Sequence, residues 1–474
     1  MQIAYSLLLF IAGSIFARLF VKSGLFPLVT GYLWGVSLSV LPSFASLLLF
    51  GGVRMPFYYC CSTVMVVILF SLGLKRGLFR PKFCLSMALG ALVLTFLAVL
   101  FARYNYSVGS TDSASYVQTG LRFFTGAPVD VGQTFSSVGT WLSLAHGPVA
   151  LWGDEYYYLL HPLLFTSLCA LFFLLFFEIR SWERRPGEAL LWLLFAGWVL
   201  SSFFVLFHVF YVHTNMPSGI YLFLAFSCYV YALKREDAAF LPLFSLAMFA
   251  FSLLRVEAPF FVASAILFAG VFYDDFKGIS TWWLYFLVLP LAVWDLRIVW
   301  LLNGNEGLAG PVLLGAQALG LLVLPALIQA LKKVGINRRQ LQRWALISLC
   351  VVVFILSLVR FDSFAVNFAS VFSNFFFTGR WGSLFWGGLF LLLVLVEDLR
   401  RDMISQLFIP YATFYFLGLL LLGFMRVPYR LGWGDSLNRM MIAIVPLLLY
   451  YLYNTLHQVV FDGTKRHDAE NKQG

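Results

Sequence analysis

Apolar residues run along this chain in blocks and seldom alternate with polar ones. The first block, IAYSLLLFIAGSIFARLF (3–20), is typical: eighteen residues with one charge. Blocks of about 17–25 apolar residues match a helix that crosses a bilayer. On that pattern about fifteen segments read as spans: 2–21, 28–51, 57–74, 83–102, 157–177, 189–211, 217–233, 238–254, 258–273, 281–302, 310–331, 344–360, 382–396, 407–425 and 438–456. The first block has no basic flank ahead of it, so it reads as a span and not as a cleaved signal. The expected fold is all-α and polytopic, with about 13–15 spans and interfacial amphipathic helices in a long external loop. The polar end DGTKRHDAENKQG (462–474) reads as part of a disordered cytoplasmic tail, 457–474.

Composition narrows this further. The chain has 474 residues, 61% hydrophobic and only 11% charged, against about 25% charged in a soluble domain. A water-soluble globule is excluded, because too little polar surface exists to cover one. The formal charge of +10 then points to helix ends at a membrane and not to nucleic acid. The six cysteines all fall in apolar runs without metal-ligand spacing, so no disulfide framework is expected.

Sorting the basic residues gives an orientation. With KRGLFRPK (75–82), RSWERRPGE (180–188), LKKVGINRRQLQR (331–343) and EDLRR (397–401) placed in the cytoplasm, only Arg54, Arg103, Arg122, Arg255, Arg297, Arg360, Arg380, Arg426, Arg430 and Arg439 fall outside. The remaining 22 of the 32 Lys and Arg, including every Lys, lie inside. The N-terminus is then external and the C-terminus cytoplasmic.

The longest external loop on this scheme is 103–156. It holds DSASYVQTGLRFF (112–124), where Tyr116, Val117, Gly120, Leu121, Phe123 and Phe124 share one helical arc and Ser115, Gln118, Thr119 and Arg122 the other. This spacing predicts an amphipathic helix lying in the interface, with Asp112 or Ser113 as its N-cap. A second such segment, TFSSVGTWLSLAHGPVAL (134–151), follows.

Charged groups close to membrane depth are costly and mark candidate chemistry. In LLRVEAPFF (253–261), Arg255 and Glu257 stand between two apolar runs, either as an interfacial anchor pair or as a phosphate-binding Arg oriented by a carboxylate. FMRVPYRLGWGDSLNRMMIAIVPLL (424–448) puts three Arg ahead of a span, either bridged to Asp435 or gathered for an anion, with Arg439 nearest the apolar run. GDEYYYLLHPLLF (153–165) collects Asp154, Glu155, three Tyr and His161, which suits an aromatic belt as well as a site. His146, His208 and His213 lack diagnostic metal spacing. Asp112 is either a helix cap or a general base placed to take a proton from an attacking hydroxyl.

The order of these segments resembles the GT-C superfamily of integral-membrane glycosyltransferases, which includes protein O-mannosyltransferases and aminoarabinose transferases. DSASYVQTGLRFFTG is similar to the Asp-x-x-x-Tyr opening of their first external loop. HTNMPSGIYLFLAFSCYVYALKR (213–235) resembles their later span that starts at an external polar turn, LLRVEAPFF their Arg-x-Glu turn, and GDSLNRMMIAIVPLLL (434–449) their late Arg-plus-Pro span. The resemblance covers 83–456, which makes 1–82 an N-terminal addition of extra helices ahead of the catalytic domain.

The resemblance implies an inverting transfer of a sugar from a polyprenyl- or dolichyl-phosphate donor to a glycan, lipid or protein acceptor. Asp112 would be the base. Tyr116, Asp154, Glu155, His161, Arg255, Glu257 and Arg439 would bind substrate or phosphate, and FAVNFASVFSNFFF (364–377) could line a groove for the lipid tail. No DxD pair stands in the external loops, so no cofactor is implied and a divalent metal is left open. The expected setting is a bacterial inner membrane in preference to the endoplasmic reticulum, with the site on the periplasmic face and membrane lipids as neighbours. An O-antigen ligase or polymerase type, which would depend on an external Arg/His cluster, and a lipid-linked sugar transporter or flippase remain as alternatives.

Overall fold

A computed structural model describes residues 1–21, 24–102, 111–135, 139–179, 187–269, 284–302, 309–394, 403–425, 429–432 and 435–470. Helix dominates, and the described residues contain no strand. The chain is an all-α, multi-pass membrane protein. Among the described residues nine helices are long and apolar enough to span, or ten if one pair bent by 84° counts as a single span.

The chain divides into two units. The first contains α1 (Gln2–Phe20), α2 (Phe26–Val29), α3 (Gly31–Phe50), α4 (Met55–Lys75), α5 (Pro81–Ala102), α6 (Thr111–Thr125), α7 (Val131–Phe135), α8 (Trp141–His146) and most of α9 (Leu160–Ile179). The second takes in α10 (Glu188–Leu200) and α11 (Phe203–Phe210) up to His208. The first resumes with α12 (Asn215–Arg235), α13 (Leu241–Ser252), α14 (Ala258–Ala269) to Ile266, α15 (Leu284–Leu302) and α16 (Ala309–Lys333). The second closes with α17 (Arg338–Val359), α18 (Phe361–Ser373), α19 (Ser383–Val394), α20 (Met403–Met425), α21 (Ser436–Met441) and α22 (Val445–Glu470).

Every one of the fifteen sequence-derived segments carries helix, yet among the described residues fewer reach span length. Ala238–Ser252 and Ala258–Leu267 are short apolar helices. Hydropathy does not separate a short helix buried in protein from a span in lipid. Residues 1–82 are not a unit apart. The hydroxyl of Tyr32 bonds that of Tyr157 at 2.8 Å, Ser6 bonds the same oxygen at 2.5 Å, and the Gln2 side chain bonds the backbone of Tyr156 and Tyr158. The end of the chain also differs from expectation, since α22 continues to Glu470; residues 471–474 lie outside the described set.

Packing in the first unit is set by where side chains are small. A Cβ at Gly13 would stand 1.9 Å from the carbonyl oxygen of Gly31, and one at Gly35 would stand 1.9 Å from that of Leu9. Glycine at these positions lets α1 and α3 touch backbone to backbone, as membrane helices do where the gain is close packing. α12 is the centre: from Ile220 to Ala232 no residue is more than 1% exposed. A helix apolar on every side fits only where protein surrounds it. By contrast α4, α5 and α17 turn most of their Leu, Val and Phe outward, which is what lipid contact demands.

Polar contacts mark both ends of α1. Arg76 bonds the carbonyl of Leu19 at one end, with Arg18 over the Phe83 ring. Gln2, about 27 Å away along the helix, meets the segment that leads to the polar cluster described next.

In the second unit α18 and the turn after it bury polar groups beside Val371 and Phe375. Asn367, Ser370 and Asn374 are at most 5% exposed, while Phe361, Phe368, Phe372 and Phe377 face outward. The amides hold a loop: Asn367 accepts from the Tyr429 N–H, and Asn374 bonds the Arg430 carbonyl and the Gly432 N–H, all within 2.8 Å.

Candidate functional site

The predicted amphipathic helix is α6, and its arcs are those the spacing gives. Tyr116, Val117, Phe123 and Phe124 are buried, while Ser115, Gln118 and Arg122 are exposed. Thr119 departs from its polar arc and is buried. Gly120 and Gly147 let α6 lie against the turn after α8; a Cβ at Gly120 would sit 2.2 Å from the Ser143 carbonyl oxygen. The second predicted interfacial helix is enclosed by protein. All six residues of α8 are buried, Trp141 and His146 completely.

The N-cap assignment also changes. Asp112 lies inside the first turn of α6, which begins at Thr111, and Ser113 donates to the Val212 carbonyl at 2.8 Å. That bond pins α6 to the segment leading into α12. It places Asp112 Oδ2 3.8 Å from Nε2 of His213, with Asp112 49% exposed and His213 7%. The carboxylate therefore stands half-exposed beside a buried imidazole.

His213 is held on every side. Its ring stacks on Tyr211 at 5.5 Å and meets the edge of Tyr116 at 5.5 Å. Its carbonyl accepts from Nε2 of His161 at 3.2 Å. His161, 2% exposed, and Tyr116, 6% exposed, thus act by positioning His213. Next to it, the Nδ1 of His146 accepts from the Tyr157 N–H at 3.2 Å, and the His146 and His161 rings lie nearly parallel, 6.2 Å apart.

Two residues beyond His213, Asn215 Oδ1 accepts from Arg255 at 3.1 Å. Glu257 Oε1 accepts from Arg255 Nε at 2.7 Å, with Glu257 5% and Arg255 19% exposed. The anchor pair and the oriented-guanidinium reading both contain this contact, but Asn215 favours the second. It adds an unneeded partner to a simple anchor and a defined direction to a guanidinium. The Arg255 turn is fixed by Gly139, where a Cβ would come within 2.0 Å of Leu254, and by the Trp141 N–H on the Leu253 carbonyl at 2.9 Å. One tripeptide, His213-Thr214-Asn215, therefore holds both Asp112 and Arg255 at the head of the buried helix α12. The sequence drew attention to His213 as a metal candidate and to the external polar turn that opens this span, but gave Asn215 no role. The signal was present in a polar tripeptide at the mouth of the chain's most buried helix.

The other expected residues are placed elsewhere. Glu155 is exposed and Asp154 half-buried after the left-handed turn at Gly153, and neither forms an ion pair among the described residues. Arg439 belongs to the second unit. There Asp435 makes no ion pair among the described residues; its carboxylate caps α21, accepting the N–H groups of Leu437 and Arg430. Arg103, Glu306 and Arg426 lie outside the described residues. Among the described residues no three His, Cys, Asp or Glu converge as a metal site. No protein-family model, curated protein or solved structure matches the chain.

The buried imidazole carries a pH consequence. Burial, and then the neighbouring His161, holds His146 well below its ordinary 6.5. Below about pH 6.5 the unfolded chain takes a proton that the folded chain refuses, so stability rises with pH through this window and falls as pH drops, by up to about 1.4 kcal/mol per unit. The thermal midpoint should fall between pH 7 and pH 5. His146→Gln, whose amide can still accept from Tyr157, should flatten that fall, measured by intrinsic fluorescence on the purified protein.

Proposed function

We propose that the chain is a membrane glycosyltransferase. It moves a sugar from a polyprenyl-phosphate donor to an acceptor hydroxyl on the external, periplasmic side of a bacterial inner membrane. The observation that carries this reading is the His213–Asn215 tripeptide, which joins a half-exposed carboxylate to a partly buried, oriented guanidinium.

These two groups suit displacement at a sugar carbon. Asp112 takes the proton from the acceptor hydroxyl as its oxygen attacks the anomeric carbon. The bond from that carbon to the phosphate oxygen breaks on the opposite face, and the electron pair leaves with the lipid phosphate. Attack from the far side inverts the anomeric centre. Arg255, its fork set by Glu257 and Asn215, faces the negative charge that grows on the leaving phosphate. His213 stands beside Asp112 and fixes the carboxylate's direction.

A lipid donor agrees with a chain that lies almost wholly in the membrane. The test is incubation of the purified protein in lipid nanodiscs with a panel of polyprenyl-phosphate sugars and hydroxylated acceptors. Transfer with inversion is expected from at least one donor. Failure of every donor, with folded protein, would overturn the reading in favour of a ligase or a carrier.

A further inference from the structure

Asp295 is a carboxylate inside a candidate span, 4% exposed. Charges at such a depth are expensive and are kept for a partner or a ligand. Among the described residues it forms no ion pair. Its contact is with Gln317, whose amide nitrogen donates both to Asp295 Oδ2 at 2.9 Å and to the Val256 carbonyl at 3.0 Å. Val256 lies between Arg255 and Glu257, so Gln317 ties Asp295 to the turn that presents the guanidinium.

Asp295 and Arg255 line one cavity together with Thr140, Trp294 and Phe135. Its volume is about 20 Å³, room for one water-sized group. Thr140 is 1% exposed, and its hydroxyl has no hydrogen-bond partner among the described residues. A buried hydroxyl left unsatisfied in a cavity wall is a place where a ligand atom is expected.

The wall chemistry selects the group. In its ionised form Asp295 only accepts hydrogen bonds, Arg255 only donates, and Thr140 does either. An ammonium would meet Arg255 as a like charge, and a carboxylate or phosphate would meet Asp295. A hydroxyl donates to the one and accepts from the other. Trp294 and Phe135, their rings 5.9 Å apart, wall the cavity on its apolar side. We infer that this cavity reads one hydroxyl of a sugar, with Asp295 as the specificity-determining residue. The inference rests on the glycosyl-transfer reading and deepens it. The hydroxyl belongs either to the lipid-linked donor or to a sugar acceptor.

The test measures binding directly, by calorimetric titration of the full chain in nanodiscs, with two sets of probes. The first set is polyprenyl-phosphate hexoses and their single-deoxy analogues; the second is free hexoses and the same deoxy series. The wild type should bind one deoxy analogue about 10²-fold or more weakly than its parent, because the bond to the buried Asp295 carboxylate is lost and the Thr140 hydroxyl stays unsatisfied. Asp295→Asn should bind the parent more weakly and discriminate less than tenfold, with Thr140→Val intermediate. The set in which discrimination appears tells donor from acceptor. Equal binding of all deoxy analogues by the wild type means the cavity holds water only and overturns the inference, whether or not the variants fold. Failure of every lipid-linked sugar to bind sinks the donor reading. In that case free hexoses that discriminate in the wild type and not in Asp295→Asn keep the sugar site, and their failure sinks it too.

Discussion

Asp112→Asn should lower sugar transfer by about 10²–10⁴-fold, the range lost with a positioned general base, while the protein folds as before. The amide keeps the shape of the carboxylate and cannot take the proton. Asp112 is 49% exposed, so the substitution buries nothing new. A purely structural Asp112 gives the opposite pattern. An acid in a helix's first turn is worth about 0.3–1 kcal/mol against the helix dipole, so losing it would lower the thermal midpoint slightly and leave turnover intact. Measuring both quantities on the same preparation separates the two roles. Asp112→Glu adds a check: it keeps the charge and moves the carboxylate by one methylene beside His213, so activity between that of Asn and wild type is expected. Wild-type turnover by Asp112→Asn would remove Asp112 from the chemistry.

Much of the fold was legible from the pattern of apolar blocks, because length and hydropathy alone decide which segments suit a bilayer. The amphipathic helix α6 was legible too, since its buried arc at 116, 117, 120, 123 and 124 follows from helical periodicity. Three things were hidden. α8 reads as interfacial from its mixed composition, yet it is wholly buried, because α3 and α6 pack against it in the tertiary fold. Short helices such as α13 were not separable from spans, because they pack inside protein with the same apolar sequence that a lipid-facing span would have. The partners of the candidate residues were hidden most of all. Asp112 and His213 are a hundred positions apart, and Arg255 and Asn215 forty, separations at which a single sequence carries no pairing signal.

The Arg255–Glu257 pair was the exception, since two residues of separation across a tight turn made it readable. Its meaning depended on Asn215, which the sequence did not connect to it. The second large effect is expected here. Arg255→Lys keeps the charge, but one ammonium nitrogen replaces a planar fork that now reaches Glu257 and Asn215 in different directions. If Arg255 faces charge that develops on the leaving phosphate, kcat should fall about 10²–10³-fold, the cost of losing one such donor, with a smaller change in KM for the donor. Glu257→Gln separates charge from direction. Its amide oxygen can still accept from Nε, so the guanidinium stays aimed and turnover should remain within about tenfold of wild type. Glu257→Leu removes the acceptor, leaves a partly buried guanidinium without its charge partner at a cost of about 3–5 kcal/mol, and should lose activity and stability together. Were the pair an interfacial anchor and nothing more, Arg255→Lys would shift the thermal midpoint and spare kcat, and the direction imposed by Asn215 would have no catalytic use.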